Sequence, residues 1–172
     1  MSLVVCSLKW EAAVSGPQRI TYDADGYHLV RFPYVAEVES YDPWEMHDPA
    51  CGGVAASTFP DARSGLIWPS HAGWAVVSAL AFWASDNRAT EYRARFVRNP
   101  LGTAKSYDST ATSDSAGTRG GEFRTYMWQM FVEPGTPLGF KVSARDSEDD
   151  KIDVPLTLAE FKMAIHTDVK TP

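Results

Sequence analysis

A two-residue hydrophobic period runs through most of this chain, and it limits the folds available more than any other feature. Tyr92, Ala94 and Phe96 alternate with Glu91, Arg93 and Arg95, which gives a half-buried strand over Thr90–Arg98 with an apolar face and a charged face. Leu138, Phe140 and Val142 alternate with Gly139, Lys141 and Ser143, and Phe161, Met163 and Ile165 alternate with Glu160, Lys162 and His166. The same reasoning predicts half-buried strands there. Gly73–Ala84 (GWAVVSALAFWA) and Glu122–Val132 (EFRTYMWQMFV) are apolar on both faces, a pattern a strand tolerates when something packs on each side. In the second run Arg124, Tyr126, Trp128 and Met130 share one face, and Phe123, Met127 and Phe131 share the other. A buried helix competes for the first run, but its aromatic and β-branched content and the Pro69 and Gly73 before it favour a strand.

Turn-rich connectors separate these runs: Tyr41–Pro49, Phe59–Gly65, and a long Ser, Thr, Gly and Ala-rich loop over Asn99–Gly121. Loops of that length serve binding or assembly, or are mobile. No 20- to 50-residue repeat and no capped helical stripe occurs. Many short strands between turns imply an all-β sandwich or barrel. The 172 residues suit one domain. The first thirty or so carry alternating apolar residues and an Asp25-Gly26 turn signal, predicting an N-terminal arm or added β-hairpin over residues 1–31 ahead of a main domain over 32–172.

The net charge of −6 opposes nucleic acid or an anionic bilayer as partner, since both demand a basic face. Cys6 and Cys51 have no CxxC companion, which suggests two buried thiols. The start lacks a basic segment and a long apolar run, and no stretch of about 18 apolar residues appears, so folding in a cytoplasm is expected. The four histidines show no metal-binding spacing. His47 and Asp48 share a turn with Asp42 and Glu45, where turn chemistry explains them better than a metal does. Asp146, Glu148, Asp149, Asp150 and Asp153 lack the glycine punctuation of a calcium loop and read as a solvated hairpin tip. Arg93, Arg95 and Arg98, with Arg88 in the preceding turn, suit acidic neighbours on adjacent strands or on another subunit. No nucleophile motif, zinc motif or P-loop occurs. A non-enzymatic protein with no catalytic residue, metal or cofactor is expected.

The order of segments resembles the C1q/TNF-like jelly-roll domains found in bacteriophage virion proteins. The matching positions are Tyr41, Asp42, Met46, His47 and Asp48 in the first turn, Pro69, then Gly73, Trp74 and Trp83, then Arg93, Arg95 and Asn99. FVEPGTPLGFKVSARD looks like that family's strand, Pro/Gly turn and strand, although Thr136 stands where an acidic residue is usual, and LAEFKMAIHTDV resembles its last strand. The resemblance spans roughly Phe32–Val169. It implies a two-sheet jelly-roll sandwich that trimerises around a threefold axis, with Tyr126, Trp128 and Met130 as the candidate trimer interface. It also implies a homotrimeric capsid decoration or cement protein in a virion assembled in the host cytoplasm, its partners the major capsid protein or other virion subunits. The absence of a fibrous or coiled-coil stalk within these residues favours that reading. The alternative is a receptor-binding or tail-fibre head domain that recognises host glycan through Trp44 and Tyr107.

Overall fold

The computed structural model describes residues 2–34, 40–47, 58–102, 108–118 and 121–168. In chain order its elements are β1 (Ser2–Glu11), one helical turn α1 (Ala12–Ser15), β2 (His28–Leu29), a 3₁₀ turn (Ala62–Gly65), β3 (Leu66–Ile67), β4 (Gly73–Trp83), β5 (Glu91–Arg98), β6 (Asp108–Ala116), β7 (Glu122–Val132), β8 (Leu138–Arg145) and β9 (Leu156–Thr167). They form two antiparallel sheets, one ordered β1-β9-β4-β7 and the other β2-β8-β5-β6, with β3 also on β8. From β6 onward each successive strand passes to the other sheet, whereas β5 and β6 are paired neighbours in the second sheet. The strands expected from alternation, β5, β8 and β9, and from the two runs apolar on both faces, β4 and β7, are all present.

The inward residues of each strand meet in one core. Phe161 on β9 belongs to the first sheet, and Phe96 on β5 and Phe140 on β8 belong to the second. Their ring centroids stand 5.7 to 6.4 Å apart, and Phe32 joins them 6.3 Å from Phe161. Trp83 stacks on Tyr92 at 4.6 Å and closes the far end of the same layer. Aromatic side chains bury more area than any others and fix the spacing of two packed sheets. Gly73 opens β4 because a Cβ there would lie 2.3 Å from the His166 carbonyl oxygen. Any side chain at that position would push β4 off β9.

Three sequence expectations change. Ser2–Glu11 pairs over its whole length with β9, so it is a strand of the sandwich itself and the boundary at residue 31 has no counterpart in the sheets. The connector after Asn99 contains β6, which pairs with β5. Its sequence, DSTATSDSA, has no apolar alternation because an edge strand can be polar on both faces. Strand β8 was expected to be half-buried, but every residue from Leu138 to Ala144 is buried. The cause is the Gln18–Arg31 segment, which lies over the outer face of the second sheet. Its turn, with Gly26 at φ +77°, sets β2 against β8, and the Tyr22 hydroxyl donates to the Ile152 carbonyl at 2.5 Å.

Because Phe140 contacts both sheets and is fully buried, Phe140→Ala should cost about 3–5 kcal/mol of stability. Urea denaturation followed by tryptophan fluorescence checks this, with the midpoint expected to fall sharply.

Candidate functional site

The chain treats its two outer faces differently. On the second sheet many outward side chains are charged, and most of these pair within the molecule. Arg93 pairs with Glu91 at 2.7 Å and Asp149 at 2.6 Å. Arg95 lies 3.5 Å over the Tyr27 ring, and Arg88 pairs with Asp86 at 2.6 Å. Lys141, 2 % exposed, sits between Asp23 at 2.8 Å and Asp25 at 2.9 Å. Arg88, Arg93 and Arg95 of the arginine face expected from sequence therefore meet acidic groups of the same chain. The acidic tip after β8 is a turn in which Asp146 Oδ1 accepts from the Glu148 and Asp150 N–H groups.

The outer face of the first sheet is different. In the β4–β7 register Trp74 faces Phe131, Ser78 faces Met127 and Phe82 faces Phe123. Phe82 and Phe123 stack at 3.9 Å. Trp74, Phe123, Met127 and Phe131 are 51 to 69 % exposed, whereas the Gly73, Ala75, Val77, Ala81 and Trp83 face of β4 is buried. On the β1 and β9 half the charges neutralise one another, with Lys162 to Glu160 at 2.6 Å and Lys9 to Glu11 at 3.4 Å. The β4 and β7 half is thus a largely apolar and aromatic surface, with Ser78, Thr125 and Gln129 interspersed. The sequence signal for it was the apolar character of both runs on both faces. The expected cover for the second face is not supplied by the described part of this chain.

The candidate trimer residues fall on the other side of β7. Met130 is 7 % exposed and belongs to the inter-sheet core. Tyr126 packs 5.5 Å from Phe140. Trp128, 46 % exposed, stands at the mouth of a cleft of about 240 Å³ between the sheets, lined by Ala94, Phe96, Tyr126 and Phe140 among others. Of the three, Trp128 alone is largely exposed. Trp44 is partly buried against the core and meets His71 edge-on at 5.3 Å. Tyr107 lies outside the described residues, as do Asp48 and Cys51.

The turn that raised the question of a metal is a capping device. The Asp42 carboxylate accepts from the N–H groups of Met46 (2.9 Å) and His47 (2.7 Å), and His47 Nε2 bonds the Ser64 carbonyl at 2.8 Å. Burial, reinforced by Asp42, pushes the Cys6 thiol well above the usual range, so it is no nucleophile. Among the described residues no group of three His, Cys, Asp or Glu side chains could hold a metal ion, and no helix is long and apolar enough to cross a membrane.

These sheets, in this order, define a C1q/TNF-like jelly roll. The solved structures similar to the chain are of that class. The globular domain of zebrafish complement 1qA superposes with a TM-score of 0.62 at 9 % identity, over 96 % of this chain and 98 % of that one. Murine APRIL at pH 8.0 gives 0.56 at 8 % identity, over 96 % and 100 %. Eiger TNF from S. frugiperda gives 0.51 at 10 % identity, over 100 % and 98 %. No protein-family model matches the sequence, and no curated protein does. The likeness is one of fold.

Two predictions follow from the polar interior. Asp42→Ala strands two backbone donors, and the loss of stability, measured by chemical denaturation, should be about 2 kcal/mol. His28 is fully buried. Its Nδ1 accepts from the Thr21 N–H at 3.0 Å and its Nε2 donates to Gln18 Oε1 at 2.9 Å. Burial lowers its pKa from 6.5 to about 4, so the neutral form belongs to the fold. Below pH 6.5 the unfolded chain takes up the proton first. This contribution to stability is complete above pH 6.5, and about 3 kcal/mol of it is lost on descending to pH 4. Urea midpoints at pH 7 and pH 4.5 should differ less in His28→Gln than in the wild type.

Proposed function

We propose that the chain is a non-enzymatic structural or binding module that works as a homotrimer, each copy covering the apolar outer face of its neighbour's first sheet. The observation that carries this reading is the exposure of Trp74, Phe123, Met127 and Phe131 on one surface. A patch of that kind on a folded protein marks an interaction site, because leaving it in water wastes the free energy of burial. A threefold arrangement closes on itself without leaving a sticky end, and it agrees with the jelly-roll resemblance in the sequence.

More specifically, the proposal is a capsid decoration or cement protein on a bacteriophage virion, assembled in the host cytoplasm and contacting the major capsid protein or other virion subunits. The phage resemblance in the sequence supports this. So does a net charge of −6, which makes nucleic acid and an anionic membrane poor partners. Such a protein stabilises a shell by binding its folded form through surface contacts alone. The rival reading, a glycan-binding fibre head, relied on Trp44 and Tyr107. Trp44 packs partly against the chain's own core, which leaves it less able to serve as a stacking platform.

Met127→Asp and Phe123→Asp place a charge on an exposed position, so the protomer should keep its circular dichroism, with Met127→Asp losing about 0.5 kcal/mol and Phe123→Asp, which also gives up the stack on Phe82, about 1–2 kcal/mol. Association should weaken at least about tenfold, or about 1.4 kcal/mol, and sedimentation velocity should report smaller species. An unchanged sedimentation coefficient in both variants would overturn the trimer surface. Mixing the wild type with shells that lack it should give threefold density by electron microscopy. Empty threefold positions, with binding to host cells instead, would favour the fibre-head reading.

A further inference from the structure

The Lys141 ammonium is buried beneath the Gln18–Arg31 segment with a carboxylate on either side. Asp25 Oδ2 lies 2.9 Å from Nζ with both side chains nearly inaccessible, at 2 % and 5 % exposed. Asp23 Oδ2 lies 2.8 Å from the same Nζ and is 53 % exposed. Arg95 Nη1 stands 3.8 Å from Asp25 Oδ2 and is held there by the Tyr27 ring, which is itself buried. The two reacting partners are 116 residues apart in sequence. They are brought together by β8 and by the turn that precedes β2.

We propose that Lys141 and Asp25 condense to an intramolecular isopeptide bond. The arrangement supplies each requirement of that reaction. The amine lies 2.9 Å from an Asp25 carboxyl oxygen, one bond from the carbon it would attack, so the condensation is unimolecular rather than bimolecular. Burial penalises the charged pair, and a neutral amide removes both charges from the interior. Asp23 touches the amine and can carry its proton. In the step, Asp23 takes one proton from the Lys141 ammonium and passes it to the Asp25 carboxyl oxygen that will leave. The Nζ lone pair then forms a bond to Asp25 Cγ. The tetrahedral oxygen that results is stabilised by the Arg95 guanidinium beside it. The second amine proton passes through Asp23 to the same oxygen, the Cγ–O bond breaks and water leaves, so two of the three ammonium protons depart in the water and the third stays on the amide nitrogen. The net change is Lys–NH3⁺ plus Asp–COO⁻ to amide plus one water, with no oxidant or cofactor. The product ties the covering segment to the central strand of the second sheet and closes a long loop, restricting the unfolded chain as a disulfide does.

The test is mass spectrometry of the purified wild-type protein, independent of any assembly. The intact mass should fall short of the sequence mass by one water. A tryptic digest should contain Ile20–Arg31 joined to Thr125–Arg145, uncleaved after Lys141. Asp23→Asn, which keeps the pair and removes the proton carrier, should fold and retain the full mass for longer. A wild-type mass equal to the sequence mass after prolonged incubation in the folded state, with free Ile20–Arg31 in the digest, overturns the proposal and leaves an ordinary buried ion pair. Neither result bears on trimerisation.

Discussion

The packing of the two sheets across Phe96, Phe140 and Phe161, with Phe32 beside them, is the interaction on which the rest of the structure depends. Those rings come from β5, β8 and β9, so no single hairpin can complete the cluster. The sheets become stable when both are present. This is why β4 must run closely beside β9 at Gly73 and why Trp83 must reach Tyr92 at the end of the layer. Area buried between sheets supplies the main favourable free energy, and every other feature is arranged around keeping that layer closed.

Closing the layer leaves two outer faces, and the chain handles them in opposite ways. The second sheet is covered by Gln18–Arg31 and lined with charges that find partners inside the molecule: Lys141 with Asp23 and Asp25, Arg93 with Glu91 and Asp149. The first sheet neutralises its charges near β1 and β9 and exposes aromatic and sulfur-containing side chains on β4 and β7. A face of that kind is not a solubility device. In the proposed trimer it is where a neighbouring copy sits, and the charged second sheet then turns toward solvent or further partners.

Much of this was legible before any coordinates. Period-two alternation locates β5, β8 and β9, the runs apolar on both faces locate β4 and β7, and the order of segments points to the C1q/TNF-like jelly roll. The strand β6 escapes because DSTATSDSA is mostly small polar residues with no apolar alternation. The role of Ser2–Glu11 escaped because its partner, β9, lies at the far end of the chain, and pairing across such a separation leaves no local mark. The burial of Lys141 was hidden for the same reason, since its carboxylate neighbours are in the first thirty residues. On β7 the two faces were read correctly as sets. Which set turns outward depends on the position of β7 at the sheet edge, and alternation alone does not encode it.

The most direct test of the account is the solution mass of the unmodified protein at micromolar concentration, measured by sedimentation equilibrium near neutral pH. Three copies per particle, independent of dilution across that range, is the predicted result. A single species with the mass of one chain, its Trp74, Phe123, Met127 and Phe131 surface stably exposed to water, would contradict it.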